Sequence, residues 1–377
     1  MSGGRRRSAV GYLTQWAQAP LPREYQNWIW HALEELRPSR RPPGVATSEA
    51  LRAVRHGFLP QRCRQLPLHD ARARRRYLTD LERRRITLRA PGWLPPSEDK
   101  LLFSLLYGHL RHGPPRAYGM LIDGEYYALS DEGRDEPGLL AEVHRRGAIV
   151  IKPTRLSGFG HGVMELEHSS GTITCNGQPL TADAVESLAR QQTHSVVIET
   201  LTTGQYASHV LPGTQHSIKI VACRHPDGTP HLVAAAHRFA TRATFPSDAP
   251  DQGALTARID LATGVLGTAR RLTSDRTVTT HDAHPDSGAA ITGLQVPQWQ
   301  RACDAVRDLM ERTPQLDLAG WDLIMTDDGP RAIEGEKGGA VSLEHDLHQP
   351  LLADPVLQDA LQRAGYRTRR HRLTPAT

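Results

Sequence analysis

The protein has 377 residues, of which 38% are apolar, and its formal net charge is +5. With its 32 glycines this composition is close to that of ordinary globular proteins, which argues against disorder of the whole chain. At roughly 100–200 residues per domain, we expect two or three domains. No apolar run approaches the roughly 18 residues that a membrane span needs, and no apolar segment of a secretory signal follows the N-terminal arginines.

The cysteines also bear on the class of protein. There are four, they lie far apart and none forms a CxxC pair: Cys63, Cys175, Cys223 and Cys303. This spacing argues against a disulfide framework and against a structural zinc site. We therefore expect a soluble, cytoplasmic protein.

Positive charge is concentrated at the N-terminus. Residues 1–90 contain 19 Arg, no Lys and seven acidic residues, a balance of +12, whereas the rest of the chain carries −7. A basic segment of this kind can meet an acidic partner such as a nucleic acid or an anionic peptide. The arginine runs at 72–76 and 83–85 have no interleaved aromatic side chains, which is more typical of a solvated helix face. Both interpretations stay open.

In chain order, the spacing of apolar residues predicts a helical N-terminal region followed by mixed structure. Helices are expected over 22–36, 47–59 and 68–85. The proline-rich stretch 91–96 marks a boundary, after which a helix begins near residue 97. A hairpin with an Asp123-Gly124 turn and a strand over 148–152 follow. Further helices are expected over 139–145, 182–191, 299–311 and 355–364. The fold class is therefore α+β.

Lysine is rare in this chain. There are only four, and arginine carries nearly every other positive charge: Lys100, Lys152, Lys219 and Lys337. A retained lysine can mark a site that needs a compact ammonium group instead of a planar guanidinium.

The first candidate site is a glycine-rich loop between two strand patterns. Lys152 ends the first strand, and Gly158, Gly160 and Gly162 follow before the second strand begins. Flanking strands argue against a dinucleotide-binding turn, and no Walker loop is present. A glycine-rich hairpin can fold over a triphosphate, with the lysine supplying a point charge to the phosphates. An ordinary flexible hairpin is the alternative.

The second candidate site is a late hairpin around Asp327-Asp328-Gly329. A three-residue loop that pairs Thr326 with Pro330 places Asp322 opposite Glu334, and Glu336 falls on the same face. Carboxylates that face each other destabilise a strand pair unless something compensates. A hard divalent cation such as Mg²⁺ does so, using one or two carboxylates plus substrate phosphates. A solvated acidic face is the alternative.

Between these two sites lies a nearly continuous apolar strand over 195–201. It contains Glu199 and then Leu201, and its end could hold the edge of an adenine ring through the backbone. Taken alone, the pattern indicates only a buried strand that ends at a loop.

Together these features resemble the ATP-grasp superfamily, and most closely its sugar-transfer-associated branch. The similarity rests on the order of strand lysine, glycine-rich flap, V-V-I-E strand and acidic hairpin. It also rests on the segments 99–103, 281–299 and 320–335, and it covers about residues 96 to 336. The resemblance implies an ATP-grasp fold, with two α+β subdomains that clasp ATP, preceded by a helical N-terminal region. The implied domains are 1–95, 96–205 and 206–377.

The resemblance also implies roles for individual residues. Lys100 and Lys152 would contact the phosphates of ATP, the three glycines would form the flap, and Glu199 with Leu201 would form the adenine hinge. Asp322 and Glu334 would bind Mg²⁺ or Mn²⁺. Two positions depart from the family pattern. Glu336 stands where the family usually has Asn, and Lys219 stands where it more often has Arg.

Arg238 is a candidate for stabilising the transferred phosphoryl group. The implied activity is that of a ligase, which activates a carboxylate as an acyl phosphate and joins it to an amine, or less often a thiol, with release of ADP and phosphate. Its substrates would be small-molecule or peptide carboxylates and amines. The alternatives are a small-molecule kinase on the same scaffold and a nucleotide-sensing protein without chemistry. His161, His281 and His284 are candidates for bases, but for each a structural hydrogen-bonding role is the expected one, and for His161 a substrate contact is a further alternative.

Overall fold

The computed structural model describes residues 42, 44–89, 99–129, 138–154, 162–245, 247–337 and 342–366. Two seven-stranded sheets form the centre of this part of the chain, and all strand pairs in them are antiparallel. The α-helices, in chain order, are α1 (Thr47–Arg55), α2 (Ala71–Arg74), α3 (Asp80–Arg89), α4 (Lys100–Tyr107), α5 (Leu139–Arg146), α6 (Ala182–Arg190), α7 (Gln205–Ser208), α8 (Trp299–Arg312), α9 (Leu343–His348) and α10 (Pro355–Arg363).

The first sheet has the strand order β2-β1-β7-β3-β4-β5-β6. Its strands are β1 (Ala117–Ile122), β2 (Glu125–Ala128), β3 (Ala148–Pro153), β4 (Met164–Ser169), β5 (Thr172–Cys175), β6 (Gln178–Leu180) and β7 (His194–Glu199). The predicted β1–β2 hairpin is confirmed, with Asp123 and Gly124 at positive φ in its turn. Helices α5 and α6 cover one face. Val150 of β3 packs on the other face, where Leu101 of α4 contacts the same cluster, and the alternation of side chains along the strand places Lys152 on that side.

The second sheet has the strand order β12-β11-β10-β9-β8-β13-β14. Its strands are β8 (Ile218–Arg224), β9 (Pro230–Phe239), β10 (Leu255–Ile259), β11 (Leu266–Leu272), β12 (Val278–His281), β13 (Leu318–Thr326) and β14 (Gly329–Lys337). Helix α8 packs its buried residues against one face, where Phe103 of α4 stacks on Trp321 at 6.3 Å between ring centroids. Helix α10 packs against the other face, together with Leu78 and with Ile86 of α3.

Residues 44–89 contain the helices α1, α2 and α3, but two predicted boundaries differ: α1 ends at Arg55, short of residue 59, and 68–85 is not one helix. The segment 68–85 forms two helices, because Thr79 and Glu82 make reciprocal hydrogen bonds that start α3 afresh. This capping box, Thr-x-x-Glu, is readable in the sequence. The predicted helix over 22–36 lies outside the described residues. All four cysteines are free, and no helix in the described ranges is long and apolar enough to cross a membrane.

Candidate active site

The acidic hairpin forms as expected, but with a different turn. Thr326 pairs with Gly329, not with Pro330, so the loop has two residues. A β-bulge then leaves Ile333 without a partner in the register and restores the pairing of Asp322 with Glu334. The predicted loop was wrong by one residue, while the predicted pair of carboxylates is present. Bulges of this kind re-aim a side chain next to a site.

Asp322 is the centre of a charged cluster on the face of the second sheet away from α8. It is 6% exposed and lies opposite Lys219 of the neighbouring strand β8. Its Oδ1 is 3.5 Å from the Lys219 Nζ, and its Oδ2 accepts a hydrogen bond from Arg238 at 3.3 Å. Oδ1 has no hydrogen-bond partner among the described residues, although it is buried. A buried carboxylate oxygen in this state is open to a further cationic partner.

Lys219 bridges two of the predicted metal ligands. It is 2% exposed, and its Nζ donates to the Glu336 carboxylate as well as contacting Asp322. Burial alone would lower the pKa of Lys219, but Asp322 and Glu336 outweigh burial and raise it. The side chain is therefore an ammonium ion that neutralises both carboxylates.

Glu334 makes a separate ion pair at the edge of the same sheet. The Nζ of Lys100, the first residue of α4, is 3.2 Å from its Oε1. Burial raises the pKa of Glu334, and Glu336 and Asp322 raise it further, while Lys100 opposes the shift. The three carboxylates thus influence one another, and a divalent cation near them would lower the cost of their charge.

The carboxylates do not by themselves form a metal cage. Within the described ranges, no group of three or more His, Cys, Asp or Glu side chains is arranged to hold a metal ion. The Oδ1 of Asp322 accepts no hydrogen bond from the described residues, has an ion-pair contact with Lys219 and lies near Glu334 and Glu336, and it nevertheless fits a hard cation. Mg²⁺ usually takes one or two protein carboxylates and completes its shell with phosphates and water, so a full protein cage is not needed.

Lys152 lies at the end of β3 near the same cluster. It makes no hydrogen bond or ion pair with the side chains that the structure describes. Burial lowers the pKa of Lys152, and the nearby Lys100 lowers it further. Among the flap residues, Gly158 and Gly160 lie outside the described residues, whereas Gly162 has a φ of 74° that favours glycine. The predicted strands on both sides of the loop are present as β3 and β4.

Arg238 is held by a residue that the sequence analysis missed. Its Nε and one terminal nitrogen donate to the two carboxylate oxygens of Glu344, at 3.0 and 2.7 Å. Glu344 belongs to α9, is 5% exposed, and also accepts from the Ser342 hydroxyl. Burial would raise the pKa of Glu344, but Arg238 holds it well below its usual range. The acidic residues of α9 were visible in the sequence, but nothing there indicated their partner.

The predicted hinge lies at a separate cleft. Glu199 accepts from Arg331 at 2.9 Å and from the Arg116 backbone at 3.0 Å, and the Leu201 carbonyl accepts from Gln215. Burial opposes the charge of Glu199, but these donors hold its pKa below the usual value. A cleft of about 460 Å³ is lined by Glu199, Leu201 and the turn of the acidic hairpin. None of Lys100, Lys152 and Asp322 lines it, so the hinge and the charged cluster are distinct places.

Two of the three histidines take part in ordinary structural contacts. The Nε2 of buried His284 is 2.9 Å from the Ala240 carbonyl oxygen, and the Nε2 of His281 is 2.8 Å from the Thr279 hydroxyl. His161 lies outside the described residues.

Sequence comparison places the chain among known families. The sequence profile described as sugar-transfer associated ATP-grasp matches residues 95–347. No curated protein matches the chain significantly. The match begins after the N-terminal helices and includes every residue of the charged cluster.

Solved structures give only distant similarities. An L-amino acid ligase from Bacillus licheniformis is 12% identical, with 72% of this chain and 51% of that chain covered and a TM-score of 0.37. A D-alanine–D-alanine ligase from Bacillus anthracis in complex with ATP is 12% identical, with 72% and 68% covered and a TM-score of 0.36. An N5-carboxyaminoimidazole ribonucleotide synthetase in complex with ADP is 11% identical, with 64% and 45% covered and a TM-score of 0.35. The chain spans about half the length of the first and third of these proteins.

Proposed function

Since the chain belongs to the sugar-transfer-associated ATP-grasp family, we propose that it is an ATP-dependent ligase that joins a carboxylate to an amine. The reaction would form an acyl phosphate from the carboxylate and ATP, and the amine would then displace phosphate. The observation that carries the proposal is the arrangement of Lys219, Asp322 and Arg238. A buried lysine and a partly buried arginine flank one buried carboxylate whose Oδ1 lacks a hydrogen-bond partner among the described residues.

Charge explains what this cluster can do. Bringing a carboxylate to a triphosphate is mostly a matter of positioning and of neutralising negative charge. Lys100, Lys152 and Lys219 would hold the phosphates, and Arg238 would face the transferred phosphoryl group. Lys152, Lys219 and Arg238 lie on strands of the two sheets and Lys100 begins α4, and each of these cations lies in or next to one cluster.

The same cluster supplies oxygen ligands for a divalent cation. Asp322, Glu334 and Glu336 would hold Mg²⁺ or Mn²⁺, which would neutralise phosphate charge as the phosphoryl group moves. Without nucleotide, Lys100 and Lys219 neutralise these carboxylates. When ATP binds, the same two lysines would also contact its phosphates.

The remaining parts of the site would protect the intermediate. Acyl phosphates hydrolyse, so a ligase needs water excluded while the amine attacks. The glycine-rich loop with Gly158, Gly160 and Gly162 would cover the phosphates, and Glu199 with Leu201 would hold the adenine at the hinge. Because the reaction consumes ATP, we expect it to take place in the cytoplasm.

The substrate search is the first experiment. The purified protein is incubated with ATP, Mg²⁺ and a library of carboxylic acids, each with and without a mixture of amines, and ADP release is measured. We expect ADP release to depend on one chemical class of acid. An Asp322→Asn variant is the control for contaminating ATPases. ADP release that no acid stimulates, or that the variant retains, would contradict the proposal.

A further inference from the structure

The N-terminal helical region lies outside the family match, yet it is connected to the charged cluster through α9. On one side of this helix, Glu344 holds Arg238 with two hydrogen bonds. On the other side, fully buried Asp346 forms an ion pair with Arg83 of α3. Asp346 also accepts from the Leu351 backbone at 2.8 Å. A six-residue helix therefore carries two buried carboxylates that contact arginines on opposite sides.

Apolar packing reinforces the same connection. Leu347 of α9 is buried in a cluster whose other members come from the N-terminal region: Ala53, Phe58, Leu66 and Leu68. The backbone N–H of Leu352, just after α9, donates to the Arg76 carbonyl at 3.0 Å. The N-terminal region thus fixes α9 by an ion pair, an apolar cluster and a backbone hydrogen bond.

The orientation of Arg238 depends on this helix. An arginine that uses two nitrogens on one carboxylate is fixed in a single plane, because the two hydrogen bonds are parallel. Its third contact, to Asp322, then has a defined direction. Displacing α9 by about 1 Å would move the guanidinium relative to Asp322, and a shift of that size can cost about a hundredfold in rate.

We propose that α9 is a positioning arm. The ion pair between Asp346 of α9 and Arg83 of the Arg-rich N-terminal region holds this helix in place, and Glu344 of the same helix thereby orients Arg238 at the reacting phosphoryl group. The proposal rests on the proposed function, because it takes Arg238 to act on that group. It gives the N-terminal helices a role in the reaction, separate from any acidic partner. Arg83, Glu344 and Asp346 are positioning residues that do not touch the substrate.

The first test measures the arm without any substrate. Hydrogen exchange is compared between the wild type and Arg83→Met, with Arg85→Met as the matched control because Arg85 is exposed on the same helix. At a temperature well below unfolding, we expect amides of Leu343–His348 and of the end of β9 at Arg238 to exchange at least about tenfold faster in Arg83→Met. The control should match the wild type. Unchanged exchange at β9 in Arg83→Met would overturn the proposal.

The second test separates positioning from stability. Arg83→Met leaves Asp346 buried without its ion-pair partner, which lowers the free energy of unfolding, whereas the double variant Arg83→Met/Asp346→Leu removes both charges. We expect the double variant to fold and to bind a fluorescent ATP analogue within threefold of the wild type, with kcat for ADP release lowered about ten- to a hundredfold. Arg83→Lys, which keeps the charge, should recover most of kcat.

Two results would overturn the proposal in this second test. One is a kcat of the double variant within threefold of the wild type. The other is a double variant that does not fold, because the ion pair would then serve the fold itself and not the position of Arg238. If the wild type shows no turnover with any acid, the proposed function fails, and the hydrogen-exchange comparison still decides whether the arm exists.

Discussion

Lys219 and Asp322 face each other across β8 and β13, and the Lys219 Nζ lies 3.5 Å from the Asp322 Oδ1. The same ammonium donates to Glu336, so one buried lysine neutralises two of the three candidate metal ligands. In the proposed reaction a divalent metal would therefore compete with Lys219 for these carboxylates.

Removing the ammonium should strengthen metal binding in the absence of nucleotide. In Lys219→Met the Asp322 and Glu336 carboxylates lose their shared cation. Mn²⁺ should therefore bind about tenfold more tightly, a change in binding free energy at the low end of the interaction energies of two charges about 4 Å apart. The measurement is a titration of free Mn²⁺ by electron paramagnetic resonance. Lys219→Arg, which keeps the charge, is the control and should resemble the wild type. Equal Mn²⁺ affinity in Lys219→Met and the wild type would show that Lys219 does not compete with the metal.

Lys152 should contribute to nucleotide affinity. It makes no ion pair with the described residues, so its charge is available to a phosphate, and such contacts contribute about 1.5–3 kcal/mol. Lys152→Ala should therefore weaken ATP binding roughly ten- to a hundredfold in a fluorescence titration with an ATP analogue. Lys337→Ala is the matched control, because Lys337 is the one lysine of the four for which no role in the site is proposed. An unchanged titration in Lys152→Ala would remove this lysine from the site.

The acidic hairpin should be essential for turnover but not for the fold. Asp322→Asn and Glu334→Gln keep the shape of each side chain and remove the charge that would hold a metal. Each variant should lose ADP release while its circular dichroism keeps the form of the wild type, although Asp322→Asn should lower the unfolding midpoint because Lys219 and Arg238 each lose one of their two carboxylates. Glu311→Gln, on the exposed side of α8, is the control. Substantial turnover in Asp322→Asn would exclude the hairpin as the metal site.

Buried neutral histidines should make the fold sensitive to acid. Burial lowers the pKa of His216 to about 4, and burial with neighbouring charges lowers the pKa values of His237 and His348 to about 3. The unfolded chain binds protons at these histidines below about pH 6.5, while the folded protein does not. Stability should therefore fall as the pH drops from 6.5 toward 4.

The slope of this loss can be measured directly. Each histidine contributes up to about 1.4 kcal/mol per pH unit, so three together give a steep decline. Urea unfolding at several pH values between 7 and 4.5 gives the free energy of unfolding. In His348→Gln the slope of the free energy of unfolding against pH should be smaller, because about one proton fewer is taken up on unfolding. A free energy of unfolding that is constant over this range would contradict the burial of these histidines as neutral groups.

Much of the fold was readable from local patterns. The β1–β2 hairpin follows from its Asp-Gly turn, and the strands around the glycine-rich loop follow from their apolar runs. The pairing of Asp322 with Glu334 was also predicted, although the loop was wrong, because a bulge at Ile333 compensates for the shorter turn. A bulge depends on packing of the sheet edge, and the alternation of side chains in one sequence does not reveal it.

The ion pairs of the site could not be predicted. Lys100 and Glu334 are 234 positions apart, and Arg238 and Glu344 are 106 apart, so only the folded sheets bring them together. The division of 68–85 into two helices was readable, because Thr79 and Glu82 form a capping box, but the apolar spacing obscured it. The connection from Arg83 to α9 is likewise a long-range contact.

Trapping with hydroxylamine shows whether the reaction passes through an acyl phosphate. In a ligase the activated carboxylate is an acyl phosphate, which hydroxylamine intercepts to give a hydroxamate, whereas the phosphate ester made by a kinase is inert to it. With ATP, Mg²⁺, hydroxylamine and the acid that stimulates ADP release, we expect a hydroxamate to form in step with ADP and without the natural amine, and to be absent in Asp322→Asn. A stable phosphorylated alcohol with no hydroxamate from any acid would contradict the ligase assignment.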